Sequence, residues 1–244
     1  MNLQEAMETR KSRRSYLPEA IAPKKIQTLH DMIWQYNMQS GLAMELIPDG
    51  SAAFQGLRKS YGMFTGVRTI IVLKGKAIEP HLKEKAGYYG ELIVLEATKL
   101  GLGTCWVGGT YDKGSGLFSL KEGESLVCVI TVGITPKEKT VHEKIIYTLA
   151  HGRSKPLEKL YHAQDDPPAW FLSGVKAASL APSSANAQPV RFHYSKESAA
   201  ASVLDTGGFR LVDLGIAKAH FALAAKGTFA FGNGGKFTKA ESLY

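Results

Sequence analysis

The sequence holds only two cysteines, Cys105 and Cys128, each inside an apolar run, with no spacing that suits a metal site or a disulfide ladder. A disulfide scaffold is excluded, and a reducing cytoplasm is the expected compartment. No apolar run reaches the length of a membrane span, and the opening residues Met1-Asn2-Leu3-Gln4-Glu5 carry no basic leader ahead of an apolar stretch. Neither export nor a membrane is expected. The chain also lacks Gly-x-Gly-x-x-Gly after a strand, so a permanent Rossmann-type nicotinamide site is not expected. His151 and His162 have no ligand spacing, and no metal is assigned. Acidic residues are outnumbered, 22 against 30 Lys and Arg, and the formal charge of +8 favours anionic partners: nucleic acid, an acidic membrane or a phosphorylated ligand. Charge by itself selects none of the three.

What remains is an ordinary globular composition, 44% apolar and 21% charged over 244 residues, enough for a sizeable core and against disorder. Residues 2–9 are helix-compatible and run into the cationic stretch Arg10-Lys11-Ser12-Arg13-Arg14-Ser15-Tyr16. Apolar residues Ile26, Leu29 and Ile33 recur at helical spacing and predict a helix over 23–36. Strands are expected at 43–47, 69–73 and 126–132, a long helix at 80–100, and a short buried strand within 101–109. Residues 135–168, charged and holding Pro136, Pro156, Pro167 and Pro168, read as a linker between halves.

Beyond that linker the pattern begins again. An apolar helix around 90–97 leads to Gly103-Thr104 and a strand, and a helix around 215–222 leads to Gly227-Thr228 and a strand. Upstream, the helix at 24–36 with its strand at 43–47 is echoed by a helix at 169–180 and a strand at 190–194. The reading is an internal duplication, an N-terminal half of 1–160 and a shorter C-terminal half of 161–244, although similar helix–strand units recur in any α+β protein.

Two segments carry chemistry. Arg10-Lys11-Ser12-Arg13-Arg14 suits a phosphate, because Arg forks bind its oxygens bidentately while Ser and backbone N–H groups fill the remaining lone pairs. A solvated arm or a nucleic-acid contact reads equally well from composition. Ala181-Pro182-Ser183-Ser184-Ala185-Asn186-Ala187-Gln188-Pro189 is a loop of small and amide residues, which lets backbone approach a flat ligand while Ser183, Asn186 and Gln188 offer polar groups to a ring edge. Alone, it would read as a capping turn.

Together these segments resemble the FMN-dependent nitroreductase family. Its Arg-x-Ser-x-Arg/Lys-x-aromatic motif stands here at residues 10–16, and its Ala-Pro-Ser-x-x-Asn-x-Gln-Pro-Trp motif at 181–190 with Val190 in place of Trp. Its Gly-Leu-Gly-Thr-Cys-Trp-x-Gly-Gly segment is met at 101–109, and Arg153-Ser154-Lys155-Pro156-Leu157-Glu158 looks like its basic pair ahead of Pro-Leu-Glu. The resemblance implies an α+β fold, a nitroreductase-like three-layer α/β/α sandwich with mixed, mainly antiparallel sheets. It also implies FMN held by Arg10, Lys11, Ser12, Arg14, Val107, Gly108, Gly109, Arg153, Lys155, Pro182, Ser183, Ser184 and Asn186. The flavin N5, not a side chain, would carry the chemistry, with NADH or NADPH as a transient donor and a nitroaromatic, quinone or similar small molecule as acceptor.

The spacing departs from the family. Its two principal motifs lie some tens of residues apart, whereas here about 170 residues separate them, and each half has kept one of the two. Since family members are mostly homodimers with flavin at the interface, the expectation is a pseudo-dimer in one chain: a monomer with internal two-fold symmetry and one FMN. Partners other than small molecules, nucleic acid included, are not expected. The competing reading is a non-catalytic protein that binds flavin, nucleotide or nucleic acid through its basic surface. Cys105 reads as a small buried thiol, His220 as a core or interface residue, and Arg58-Lys59-Ser60 as a surface loop.

Overall fold

The β-branched run Thr69-Ile70-Ile71-Val72-Leu73 and the run Val127-Cys128-Val129-Ile130 are apolar on both faces, the pattern of strands covered on each side. In a computed structural model, which describes residues 1–55, 62–150 and 154–240, they pair at the centre of a four-stranded antiparallel sheet. Its strands are β1 (Glu45–Ile47), β2 (Thr69–Lys76), β3 (Gly103–Val107) and β4 (Glu124–Gly133), in the order β1-β2-β4-β3. Ile71 faces Ile130 across β2 and β4, and a bulge follows at Leu73/Lys74.

A second sheet holds β5 (Tyr161–Ala163), β6 (Arg191–Ser195), β7 (Ser198–Ser202), β8 (Gly227–Phe229) and β9 (Lys236–Lys239), in the order β5-β6-β7-β9-β8. Only the β5–β6 pairing is parallel. The expected α+β class with mixed, mainly antiparallel sheets is the observed one. Six α-helices are described: α1 (Leu3–Thr9), α2 (Pro23–Ser40), α3 (Leu82–Lys99), α4 (Val141–Ala150), α5 (Ala169–Ser179) and α6 (Arg210–Ala225). The first unit runs α2-β1-β2-α3-β3-β4 and the second α5-β6-β7-α6-β8-β9, so corresponding strands occupy corresponding places in the two sheets. Strands β7 and β9, which the sequence reading passed over, complete that match.

Helices α2 and α3 bury Leu29, Ile33, Ala86 and Ile93 against Ile71, Leu73 and Ile130 of the first sheet. Helices α5 and α6 bury Phe171, Val175 and Phe221 against Phe192, Ala201 and Phe237 of the second. Helix α3 then packs along α6, joining the two units. The approach is closest at two glycines: a Cβ on Gly87 would collide with the Val212 carbonyl oxygen, and one on Gly215 with that of Glu84. Beside this crossing Lys218 is fully buried and donates to Glu84 (2.5 Å), Ala230 O (3.0 Å) and Gly232 O (2.9 Å), so each ammonium hydrogen has an acceptor.

The expected linker is a correction. Residues 135–168 contain α4 and β5, the latter joined to the edge of the second sheet. Prolines end its elements without preventing them. Helix α1 also reaches across the units, since Ala6 and Met7 pack with Leu95 of α3 and Ala177 of α5. That places the cationic segment that follows α1 at the seam.

Candidate functional site

Residues after α1 cannot continue as helix, because Arg10 turns to φ −53°, ψ 128°. The chain then runs alongside β3: Ser12 bridges Thr104 in parallel, Arg13 N donates to Thr104 O (2.8 Å), and Thr65 N donates to Arg14 O (2.9 Å). Alternation along this extended stretch sends Ser12 and Arg14 one way and Arg13 the other. Arg13 is spent on structure: it donates to Glu143 (3.1 and 3.3 Å), Thr135 Oγ1 (2.9 Å) and Glu138 O (3.1 Å). Glu143 also accepts from the backbone N–H groups of Arg14 (2.6 Å) and Ser15 (3.2 Å). Burial pushes the Glu143 carboxyl up, but the hydrogen bonds from Arg13, Arg14, Thr140 and Ser15 outweigh it and hold it below its ordinary value.

Arg10 leans on a different acid. Its Nε lies 3.8 Å from Glu91 Oε1, and Glu91 is itself fully buried on α3. Glu91 accepts from Trp106 Nε1 (2.8 Å) and lies 2.9 Å from His220 Nε2, while His220 Nδ1 lies 3.2 Å from Ala177 O. Side chains from three segments therefore converge on one carboxylate. Even so, Arg10 Nε and Arg14 Nε are buried without a hydrogen-bond partner. Two desolvated guanidinium N–H donors without a hydrogen bond are costly unless a ligand meets them.

The loop 181–190 approaches from the other unit. Ala185, Asn186 and Gln188 have φ of 50°, 52° and 42°, left-handed conformations held by the surrounding bonds. Gln188 corrects the sequence reading: it is buried and turned inward, donating to Ser179 O (3.1 Å) and accepting from Lys155 N (2.6 Å), with its own N–H on Ser183 Oγ (2.9 Å). It shapes the loop. Ser184 N donates to Asp213 Oδ1 (3.0 Å) near the start of α6.

Two adjoining hollows lie between the segments. The larger, about 340 Å³, has Ser12 and Arg14 on one side and Pro182, Ser183 and Ser184 on the other. Val107, Gly108 and Gly109 form part of its wall, with Phe64 and Phe209. Gly108 is pressed against Phe209, where a Cβ would meet ring atoms at 2.5 Å, whereas no atom lies within 4 Å of a Cβ on Gly109. The smaller hollow, about 260 Å³, gathers Arg10, Lys11, Ser12 and Lys139 with Ser183 and Asn186. One hollow is mostly apolar and the other cationic, and Ser12, Pro182 and Ser183 border both.

Eleven of the thirteen residues named from the sequence thus line these two hollows. Lys155 lines neither, and its ammonium donates to Gln188 O (2.9 Å). Arg153 lies outside the described residues, as do Arg58-Lys59-Ser60 and His151. Cys105 is buried at the larger hollow, where burial pushes its thiol up against the opposing effect of Arg14, Arg10 and Ser12. His220 is a core residue as read.

Three contributors were missed. Glu143 had a signal, since Thr140-Val141-His142-Glu143 is a capping box, with Thr140 N on Glu143 (2.9 Å) and Glu143 N on Thr140 Oγ1 (3.2 Å). Glu91 stood out as an acid immediately ahead of the apolar stretch 92–95. Asp213 had none: it lines the larger hollow, and burial raises its carboxyl to about 6 against the Ser184 hydrogen bond and the Arg210 charge.

Comparison with known proteins shows which family and fold the chain resembles. A family model described as "Putative TM nitroreductase" matches residues 2–225. A solved structure titled as a putative nitroreductase from Thermotoga maritima superposes with a TM-score of 0.64 at 21% identity, over 97% of this chain and 92% of that one. A nitroreductase family protein from Clostridium difficile gives a TM-score of 0.47 at 18% identity, over 65% of this chain and 96% of that one. A putative nitroreductase in complex with FMN from Desulfovibrio desulfuricans gives 0.43 at 20% identity, over 59% and 95%. No curated protein matches the chain.

Proposed function

The chain belongs to the family described as "Putative TM nitroreductase", and from that premise we propose that it is an FMN-dependent oxidoreductase passing electrons from NADH or NADPH to a nitroaromatic, quinone or similar small acceptor. One observation carries the reading. The Arg motif and the Ala-Pro-Ser motif, about 170 residues apart in sequence, border the same pair of hollows, one apolar and one cationic. An apolar slot joined to a cationic end suits a flat ring with a phosphate tail.

The residues present fit FMN, because the buried Nε atoms of Arg10, which has Glu91 only at 3.8 Å, and Arg14 lack hydrogen-bond acceptors that an anionic ligand would supply. Arg10, Lys11, Ser12 and Asn186 would hold the phosphate end, Arg14 and Ser184 the polar edge of the ring, and Val107, Gly108 and Gly109 its face. When bound, FMN supplies the redox chemistry, accepting two electrons from a reduced nicotinamide and giving them to the second substrate. The protein's part is positioning and electrostatics. The guanidinium of Arg14 offers positive charge to an electron-rich ring edge, Phe64, Val107 and Phe209 exclude water, and the cations beside Arg10 fix the tail. The duplicated strand order supports the further reading of two fused halves with a single flavin site, a monomer whose former dimer interface is the α3–α6 packing.

The test is anaerobic. Protein loaded with FMN should bleach on addition of NADH or NADPH and recover its flavin absorbance when a nitroaromatic or quinone is added, with parallel-line kinetics in the steady state. A loaded protein that neither nicotinamide bleaches would contradict the oxidoreductase reading.

A further inference from the structure

The cationic segment borders more space than one phosphate requires. A third trough, of about 440 Å³, shares Arg10, Lys11 and Lys139 with the smaller hollow but includes none of the 181–190 loop. Lys137 and Lys144 extend it, and Gly101, Leu102 and Gly103 line it without polar side chains. The three hollows form a connected row: the first two share Ser12, Pro182 and Ser183, and the last two share Arg10, Lys11 and Lys139.

The charge of the trough is not balanced from within. Arg13 is neutralised by Glu143, and the only carboxylate on the trough's wall is Glu138. Among the described residues Lys11, Lys137 and Lys144 have no carboxylate at ion-pair distance. The Lys139 ammonium is driven below its ordinary value by burial and then by Lys11, with Arg13 and Arg14 adding to the effect against Glu143. Cations gathered this closely repel one another, and an anion of more than one charge relieves the repulsion. The flavin phosphate, placed by Ser12 and Asn186 in the smaller hollow, leaves Lys137 and Lys144 unused.

We propose that this trough is a second anion subsite, which takes a nucleotide phosphate lying next to the flavin phosphate. The proposal rests on the flavin reading only for that neighbour. The same chemistry has two sources, the adenylyl half of a dinucleotide flavin and the phosphates of the nicotinamide donor. Both would bring a phosphate past Arg10 towards Lys137 and Lys144.

The experiment uses the full chain and a Lys137→Glu/Lys144→Glu double variant, both exposed positions outside the FMN contacts, with thermal unfolding as the check on folding. Binding of FMN, FAD, ADP and NADP⁺ is measured by calorimetry, the last two on protein with and without FMN. Reversing two charges should weaken ADP binding about tenfold while leaving FMN within about twofold. If the flavin's adenylyl half is the occupant, FAD binds more tightly than FMN and loses that margin in the variant. If the donor is the occupant, FAD and FMN bind alike and NADP⁺ binding to the loaded protein weakens in the variant. ADP and NADP⁺ binding that is absent, or unchanged in the variant, overturns the subsite. FMN retention in that case would leave the flavin reading intact, and variant-sensitive ADP binding without FMN retention would sink the flavin reading alone.

Discussion

The site's cationic segment depends on Glu143, a carboxylate that lines neither hollow. Glu143 ties α4 to Arg13, Arg14 and Ser15, so its loss leaves the cationic segment held only by its remaining bonds to Thr65, Thr104, Thr135, Glu138 and Thr140. Glu143→Ala should cost about 3–5 kcal/mol in denaturant unfolding, as expected for a buried carboxylate removed from its Arg partner. The wild-type contribution has a pH signature as well. A carboxyl held low in the folded state stabilises fully above its unfolded value of 4.5 and loses that stability as pH falls through the folded value, and the variant should lack this acid-side decline. Asp213 has the opposite sign. Its folded value of about 6 exceeds the unfolded 3.8, so its contribution is complete below 3.8 and is lost as pH rises to about 6. Asp213→Asn should therefore flatten the stability profile across that window, gaining up to about 3 kcal/mol at neutral pH. Equal slopes for wild type and variant between pH 4 and 6 would contradict the buried-acid assignment.

At the scale of elements, the crossing of α3 over α6 sets how the two units face each other. Gly215→Ala forces a methyl onto the Glu84 carbonyl, a backbone atom with no room to move, and should lower stability by about 1–3 kcal/mol or more. An unchanged unfolding midpoint would mean that the helices can separate. The strands and helices themselves were largely legible, because β2 and β4 are continuous apolar, β-branched runs and α2 has apolar residues at helical spacing. Strand β7, Ser198-Ala199-Ala200-Ala201-Ser202, was not, since alanine and serine carry no strand signal and the segment is held by pairing with β6 and β9. Helix α4 was hidden by the charge and prolines around it. The two motifs of the site were legible as short patterns, but Gln188 reads from sequence as a ligand contact. Only the structure shows its amide consumed by Ser179 and Lys155.

At the scale of the molecule, two units with matching strand order meet along α3 and α6, and the Arg motif of the first lies against the Ala-Pro-Ser loop of the second. On the proposed reading that arrangement holds one composite site, whereas an intact two-fold pair would hold two. The most direct measurement is the moles of FMN retained per chain after saturation and desalting, in the wild type and in Arg10→Ala and Asn186→Ala. The account predicts about one per chain, lost in both variants, since each removes a wall of the same cationic hollow. Two per chain, or one that survives either substitution, would contradict it.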